Sequence, residues 1–160
     1  MKHLEANLLI SDSQHGFRKG RSCLTNLLTF LDKVTSYVDT GNDVDVVFLD
    51  FAKAFDKVPY MRLLQKLKSH GTDGKLLRWI TYWLSSRTQR VCVNGMLSDW
   101  KVVLSGVPQG SVLGPMLFLI FINELDYDIT NWVLKFADDT KIFGPVCNQS
   151  DYMKFQEDLN

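Results

Sequence analysis

The sequence of 160 residues is poor in cysteine and proline and has no excess of charge of either sign. Its three cysteines are far apart and odd in number, so they form neither a disulfide framework nor a zinc-ligand spacing, which favours a reducing compartment. Eighteen basic residues balance eighteen acidic ones, so any binding of nucleic acid has to come from local patches rather than from a global field.

A long hydrophobic run is also missing. The longest, VLGPMLFLIFI at 112–122, is too short to cross a bilayer and contains Pro115, so it predicts a buried helix. The N-terminus lacks the pattern of a secretory signal. We therefore expect no contact with a membrane and an intracellular protein, nuclear or cytoplasmic, that is not secreted.

An apolar fraction of 46% and a charged fraction of 22% are ordinary for a globular protein, and the length favours one domain. Helical spacing from Leu24 to Val38 predicts a helix that Ser22 caps and Gly41 ends. The nearly continuous apolar run VDVVFLD predicts a central strand that ends at Asp50.

The remaining elements follow from turn signals and periodicity. Helices are predicted over 60–70 and 74–85, followed by strands over 90–95 and 100–105 around an Asn-Gly turn. A helix capped by Ser111 is predicted over 111–125, and a hairpin with ADD at its tip over 132–144. This order indicates an α+β domain built on a small sheet.

Three aspartates stand at the predicted ends of strands: Asp50 after one strand, and Asp138 and Asp139 at the tip of the hairpin. If these strands are neighbours, the carboxylates meet at one end of the sheet and raise each other's pKa unless a cation lies between them. Magnesium prefers such oxygen ligands, and carboxylates that bridge two metals support phosphoryl transfer. An Asp-Asp pair alone is more often structural, because aspartate suits turns.

Five segments in a fixed order carry a stronger signal than any single residue: QHGFRKGRSCLTNLL, VVFLDFAKAFDKV, WLSSRTQRVCVNG, SGVPQGSVLGPMLFLIFINEL and LKFADDTKIF. From about Ser13 to Gly144 the sequence resembles the reverse transcriptase domain of non-LTR (LINE-type) retrotransposons, close to the jockey and CR1-like groups. The resemblance implies a truncated polymerase palm, an antiparallel sheet with packed helices, plus part of the fingers. The fingers remnant would cover about 1–43 and the palm about 44–160, with thumb and endonuclease absent.

The same resemblance implies an RNA-directed DNA polymerase that acts on an RNA template, a DNA primer and deoxynucleoside triphosphates. Two Mg²⁺ ions, or Mn²⁺ in their place, would be held by the catalytic carboxylates Asp50, Asp138 and Asp139. The fingers and thumb segments of the parent protein would be further partners. Tyr60 replaces a histidine that the family often has after Val-Pro, which puts a local contact in doubt.

Further site residues are implied in three loops. Phe55, with Phe51 near it, matches the bulky residue that selects deoxynucleotides, and Gln109 and Gly110 of SGVPQGS match a loop that contacts the nucleotide. Arg18, Lys19 and Arg21 would bind nucleic acid. Without the resemblance, the two phenylalanines read as core residues four apart, SGVPQGS as a turn into a helix, and the cations as a solvated loop.

Two other functions remain open at this level. One is a catalytically inactive palm remnant that at most binds nucleic acid. The other is a two-metal nuclease, which would share the aspartates but would need neither Phe55 nor the loop of Gln109.

Overall fold

The computed structural model describes residues 9–160 and contains two compact units. One unit joins the described part of Met1–Ala52 to Ile122–Asn160, and the other is Lys53–Phe121. This boundary differs from the predicted division into fingers and palm near residue 44, and that division remains a prediction.

The elements alternate between helices and short strands, which confirms the α+β class. In chain order they are α1 (Cys23–Asp39), β1 (Val44–Leu49), α2 (Tyr60–Ser69), α3 (Gly74–Ser85), β2 (Thr88–Gln89), β3 (Cys92–Val93), β4 (Met96–Leu97), β5 (Lys101–Val102), α4 (Leu113–Ile122), a 3₁₀ turn (Asn123–Asp126), β6 (Trp132–Phe136), β7 (Asp139–Pro145) and α5 (Gln149–Asp158).

The main sheet of the first unit is antiparallel, with strand order β1-β7-β6. The prediction of β1 as a central strand was wrong, because it lies at the edge of this sheet. Its apolar run goes with partial burial only: no residue of β1 is fully buried and Phe48 is 72% exposed, although a helix packs on each face of the sheet. Phe30 of α1 packs edge-on against Phe143, with ring centroids 4.9 Å apart, while Phe155 of α5 packs with Val133 and Ile142 on the opposite face.

Helix α1 begins where the sequence predicts. The Ser22 side chain accepts from the Thr25 N–H, and the Thr25 hydroxyl accepts from the Ser22 N–H, which is a capping box. Gly41, with φ +80°, stands just past the helix end. Helix α5 was not predicted. It begins at an Asn148 cap whose side chain accepts from the backbone N–H groups of Ser150 and Asp151.

The second unit contains α2, α3, α4 as far as Phe121, and two ribbons of very short strands. Asn94 and Gly95, with φ +49° and +82°, form the turn between β3 and β4, while β2 pairs with β5 further out. The two longer strands predicted over 90–95 and 100–105 are therefore wrong in extent and pairing. In the part of the chain that the structure describes, no helix is long and apolar enough to cross a membrane.

Candidate active site

The aspartates of β1 and β7 meet at one end of the main sheet. The register pairs Leu49 with Thr140, and one further residue on each strand brings Asp50 alongside Asp139. Both side chains are exposed, and both line an open cavity of about 550 Å³ against the first turns of α1. The prediction that these two strand ends are neighbours is confirmed.

Asp138 occupies the turn beside them. Phe136 pairs with Asp139, so the hairpin closes through the two residues Ala137 and Asp138. Ala137 has φ +58°, a conformation that residues with a Cβ rarely adopt. Asp138 is half-buried, and its carbonyl accepts from the Thr140 hydroxyl at 3.4 Å. In a continuous strand, the side chains of Asp138 and Asp139 would point to opposite faces of the sheet. Because Asp138 lies in the turn, this alternation does not apply to it.

The donor set around this cavity suits a hard cation. Carboxylate oxygens are the ligands that Mg²⁺ takes, and it commonly binds through one or two carboxylates together with substrate phosphates. Within residues 9–160, however, no group of three or more His, Cys, Asp or Glu side chains is arranged to hold a metal ion. The pair of Asp50 and Asp139 therefore fits magnesium chemically, while the cluster of three carboxylates remains a prediction.

Lys141 adds a cation to the same cavity, and the sequence analysis did not identify it. Its ammonium lies 4.6 Å from the ring centroid of Phe30, and burial lowers its pKa from the ordinary value. Its place follows from strand alternation, because residues two apart on β7 share a face with Asp139. Phe51, next to Asp50, is half-buried.

The predicted basic loop separates into inward and outward side chains. The Arg18 side chain is only 12% exposed, and its guanidinium donates to the carbonyls of Ser11 and Gln14. Lys19 is exposed, and Arg21 is half-buried beside Asp12, at 3.3 Å. The contacts of Arg18 stabilise the loop itself. Binding of nucleic acid by this loop remains a prediction, and Lys19 and Arg21 are the residues best placed to contact a phosphate.

His15, to which the sequence analysis assigned nothing, is buried in that loop. Its Nε2 lies 3.2 Å from the Arg21 guanidinium, which can only donate, so Nε2 accepts and Nδ1–H donates to the Thr25 hydroxyl at 2.9 Å. Burial lowers the pKa of His15, and the charges of Arg21 and Arg18 lower it further, so the ring is neutral at pH 7.

A buried ion pair lies on the strand that leads to the turn. The Lys135 side chain is completely buried, and its ammonium donates to the Asp126 carboxylate at 2.6 Å and to the Asn123 carbonyl at 3.2 Å. Burial alone raises the pKa of Asp126, but hydrogen bonds from Lys135, Ser13 and Ser11 outweigh it and hold the pKa below its ordinary value. A lysine in the middle of an apolar strand was the sequence signal for this pair.

In the second unit, the loop of Phe55 and the loop of Gln109 are joined by their backbones. The Val107 N–H donates to the Phe55 carbonyl, and the Gly106 N–H to the Val58 carbonyl, each at 2.8 Å. A Cβ on Gly106, where φ is +86°, would meet the Asp56 carbonyl oxygen at 2.6 Å, so only glycine permits this approach. The structure therefore brings together the two segments that the sequence marked separately for nucleotide binding.

Within these loops, the Phe55 ring stacks on Phe118 with centroids 4.4 Å apart and is half-buried. Both the core interpretation and the nucleotide-binding interpretation of Phe55 are compatible with a ring that is packed on one side. Gln109 and Gly110 are exposed, and Gly110 has φ +82°. The nucleotide-binding roles of these three residues remain predictions.

Tyr60 has a structural use that the sequence did not reveal. Its hydroxyl lies within hydrogen-bond distance of the Val103 and Ser105 carbonyls, at 3.1 and 3.0 Å. The Arg87 guanidinium donates to the Tyr60 oxygen at 2.8 Å and also to the Ser105 and Gly106 carbonyls. These two side chains therefore brace the start of the SGVPQGS loop.

Comparison with known proteins gives one consistent result. The family described as reverse transcriptase (RNA-dependent DNA polymerase) matches residues 1–156. The probable RNA-directed DNA polymerase from transposon BS of Drosophila melanogaster is 33% identical over 73% of this chain and 13% of that protein. The RNA-directed DNA polymerase from mobile element jockey of the same species is 35% identical over 59% of this chain and 11% of that protein. The chain thus spans about an eighth of these relatives.

Solved structures agree on the fold. A structure of telomerase from Candida Tropicalis in complex with a fragment of telomeric RNA superposes with a TM-score of 0.68, covering 96% of this chain and 29% of that one. At 15% identity this likeness concerns the fold alone, and it confirms the predicted polymerase palm. From the family match over nearly its whole length, its transposon relatives and its fold, the chain belongs to the reverse transcriptase family.

Proposed function

We propose that the chain carries the catalytic carboxylates of an RNA-directed DNA polymerase of a non-LTR retrotransposon. The observation that carries this proposal is the meeting of Asp50 and Asp139 at one end of adjacent strands, on one cavity, with Asp138 in the turn beside them. Carboxylates drawn from separate parts of the chain to one cavity supply the oxygen ligands that a hard divalent cation takes.

Two divalent cations, magnesium or manganese, would supply the charge that activates the primer hydroxyl and stabilises the triphosphate during in-line transfer. Asp50, Asp138 and Asp139 would hold them. The carboxylates give the oxygen ligands, and the open cavity leaves room for the phosphates that complete a magnesium shell.

The substrates of this reaction would be an RNA template, a DNA primer and deoxynucleoside triphosphates, inside the cell, in the nucleus or the cytoplasm. Phe55, Phe51, Gln109 and Gly110 would contact the nucleotide, and Arg18, Lys19 and Arg21 the nucleic acid. Further fingers and thumb segments of a longer parent protein would bind the template–primer duplex together with this chain.

Primer extension on an RNA template with Mg²⁺ tests the proposal. We expect incorporation of deoxynucleotides to fall by roughly a hundredfold or more in Asp50→Asn and Asp138→Asn, the scale on which a charge-stabilising group acts in an active site. Asp45→Asn is the matched control, because Asp45 is an exposed aspartate on the same strand, opposite Gly144 at its other end. Equal incorporation by all three variants would contradict the proposal.

Selection of the sugar gives a second measurement. Phe55→Val should raise incorporation of ribonucleotides relative to deoxynucleotides, because a smaller side chain leaves room for a 2′-hydroxyl. A two-metal nuclease predicts no such change. An unchanged ratio would remove the proposed role of Phe55 without affecting that of the aspartates.

The second candidate is a protein that binds nucleic acid without catalysis. The absence of a group of three metal-binding side chains among residues 9–160 favours it. It predicts retention of a labelled primer–template duplex without extension at any concentration of Mg²⁺ or Mn²⁺. Binding that weakens in the double variant Lys19→Ala/Arg21→Ala, again without extension, would support this candidate over the polymerase.

A further inference from the structure

Gln14 makes an unusual set of contacts with the turn that carries Asp138. Its side chain is 1% exposed, and all of its recorded hydrogen bonds are to backbone. The amide oxygen accepts from the Ala137 N–H at 2.9 Å and from the Gly16 N–H at 2.7 Å, and the amide nitrogen donates to the Ala137 carbonyl at 3.2 Å. One side chain thus bonds both backbone groups of the first turn residue, 123 positions away in the sequence.

We infer that Gln14 is a positioning residue that fixes the Ala137–Asp138 turn and thereby the direction of the Asp138 carboxylate. The inference rests on the proposed function, since it concerns how the metal-binding carboxylates are held. Gln14 has no role in the chemistry itself.

The turn needs an external support because of its own sequence. Ala137 has φ +58°, which is unfavourable for a residue with a Cβ relative to the ordinary right-handed region. Only the first turn residue has positive φ, a position at which two-residue hairpins favour glycine, and Ala137 is not glycine. Contacts from elsewhere must therefore hold Ala137 in place, and the Gln14 amide supplies an acceptor and a donor together.

Glutamine is the suitable side chain for this place. A carboxylate could accept from the two N–H groups but could not donate to the Ala137 carbonyl, and an aliphatic side chain could do neither. A buried backbone group without a partner is costly, so loss of the amide would favour other conformations of the turn. Because a metal site tolerates displacements of only about 0.5 Å, such freedom would weaken cation binding.

The backbone of Gly16 makes the approach possible. A Cβ built on Gly16 would lie 2.3 Å from the Ala137 nitrogen, so any larger residue would push the turn away. Beside it, the Asn26 side chain and the His15 N–H both donate to the Lys135 carbonyl, at 3.1 and 2.8 Å. The strand that enters the turn is thus also held from the side of Gln14.

Amide hydrogen exchange of the 160-residue chain tests the contact directly. In Gln14→Leu we expect the Ala137 N–H to exchange roughly tenfold faster or more, because its recorded acceptor is gone. Asn148→Ala is the matched control, since it removes a helix cap of the same unit without touching the turn.

The effect of Gln14 on metal binding is measured by Mn²⁺ titration, in which paramagnetic broadening of the Asp139 amide resonance is followed. Gln14→Leu should require at least about fivefold more Mn²⁺ for half-broadening, while Asn148→Ala should stay within about twofold of the wild type. If Gln14→Leu does not fold, Gly16→Ala is compared with Asn148→Ala, and Gly16→Ala should shift the titration in the direction expected for Gln14→Leu.

The outcomes separate the two proposals. An Ala137 exchange rate in Gln14→Leu that equals the wild-type rate, or that rises only as much as all amides rise in Asn148→Ala, overturns the inference, and so does an unchanged Mn²⁺ titration. Wild-type protein that shows no broadening at Asp139 counts against the metal site of the proposed function, whatever the variants do.

Discussion

The two hairpins with two-residue turns obtain their positive φ angles by different means. Between β3 and β4, Asn94 and Gly95 supply positive φ from their own conformational preferences, and the strands around them are exposed. Between β6 and β7, Ala137 takes φ +58° against its preference, in a turn where Ala137 itself is buried.

The difference shows where each conformation is encoded. The turn of the exposed β3–β4 hairpin is specified by two adjacent residues, Asn94 and Gly95, and depends little on tertiary contacts. The buried hairpin is specified by partners such as Gln14, more than a hundred positions earlier in the chain. Strained backbone held by tertiary contacts is a common property of sites where geometry has a function.

In the buried β6–β7 hairpin, replacement of Lys135 is expected to cause the largest loss of stability. We expect Lys135→Met to lower the free energy of unfolding by about 3–5 kcal/mol, because Asp126 would keep a buried charge without its cation. Urea unfolding measures this. Met96→Ala in the exposed hairpin, at a side chain that is 78% exposed, should change stability by less than about 0.5 kcal/mol.

A second substitution isolates the cause of that loss. Adding Asp126→Leu to Lys135→Met should recover at least half of the lost stability, since an apolar pair replaces the uncompensated charge. A double variant as unstable as the single one would mean that packing of the lysine stem, and not charge, holds the strand.

Acid should loosen the same region in two stages. The folded pKa of His15 lies below its ordinary 6.5, so the unfolded chain binds more protons in that interval, and stability falls as pH drops through about 6.5 towards the folded value. The folded pKa of Asp126 also lies below its ordinary 3.8, so its contribution is complete above that pH and is lost below it.

Urea unfolding at pH 7.5, 5.5 and 3 follows both stages. His15→Gln, which keeps polar groups but does not titrate, should remove most of the loss between pH 7.5 and 5.5. Asp158, whose pKa is also lowered through bonds from Thr130 and Asn131, adds to the loss below 3.8. A wild-type stability that is equal at pH 7.5 and 5.5 would contradict the assignment of His15.

The smallest effects are expected from substitutions of the turn residues. These substitutions test most directly how each turn obtains its positive φ. Gly95→Ala should destabilise the β3–β4 pairing by about 1–2 kcal/mol, because φ +82° is the only obstacle and no atom lies within 4 Å of the added Cβ. Cross-strand nuclear Overhauser effects between Cys92 and Leu97 should weaken, with little change in global stability.

At the buried turn, Ala137→Gly should change the free energy of unfolding by less than about 1 kcal/mol. Relief of the unfavourable φ is offset by loss of a buried methyl group, about 0.8 kcal/mol, and by the greater freedom of glycine in the unfolded chain. A large stabilisation would mean that the Ala137 conformation is not supported by its neighbours.

Sequence reasoning succeeded where structure is encoded locally or where a motif is long. The start of α1 at its Ser22 cap, the limits of α2 and α3, the hairpin and the neighbouring strand ends of Asp50 and Asp139 were all predictable. It failed for the edge position of β1, because an apolar run does not fix the place of a strand within a sheet, and here it includes Phe48, which is 72% exposed. It also missed the contacts of Gln14, whose partner Ala137 lies 123 positions away, and those of His15 and Lys135, whose side-chain partners are near in sequence but outside any regular helix or strand spacing.

The order of the strands has a consequence for synthesis of the protein. Val44 pairs with Pro145, so β1 leaves the ribosome about a hundred residues before β7. At roughly 5–20 residues per second, this strand waits on the order of 5–20 s for its neighbour. During that interval a valine-rich segment is exposed to chaperones and aggregation, and Asp50 has no companion carboxylate. The pairing of Asp50 with Asp139 is thus acquired only after β7 has been synthesised.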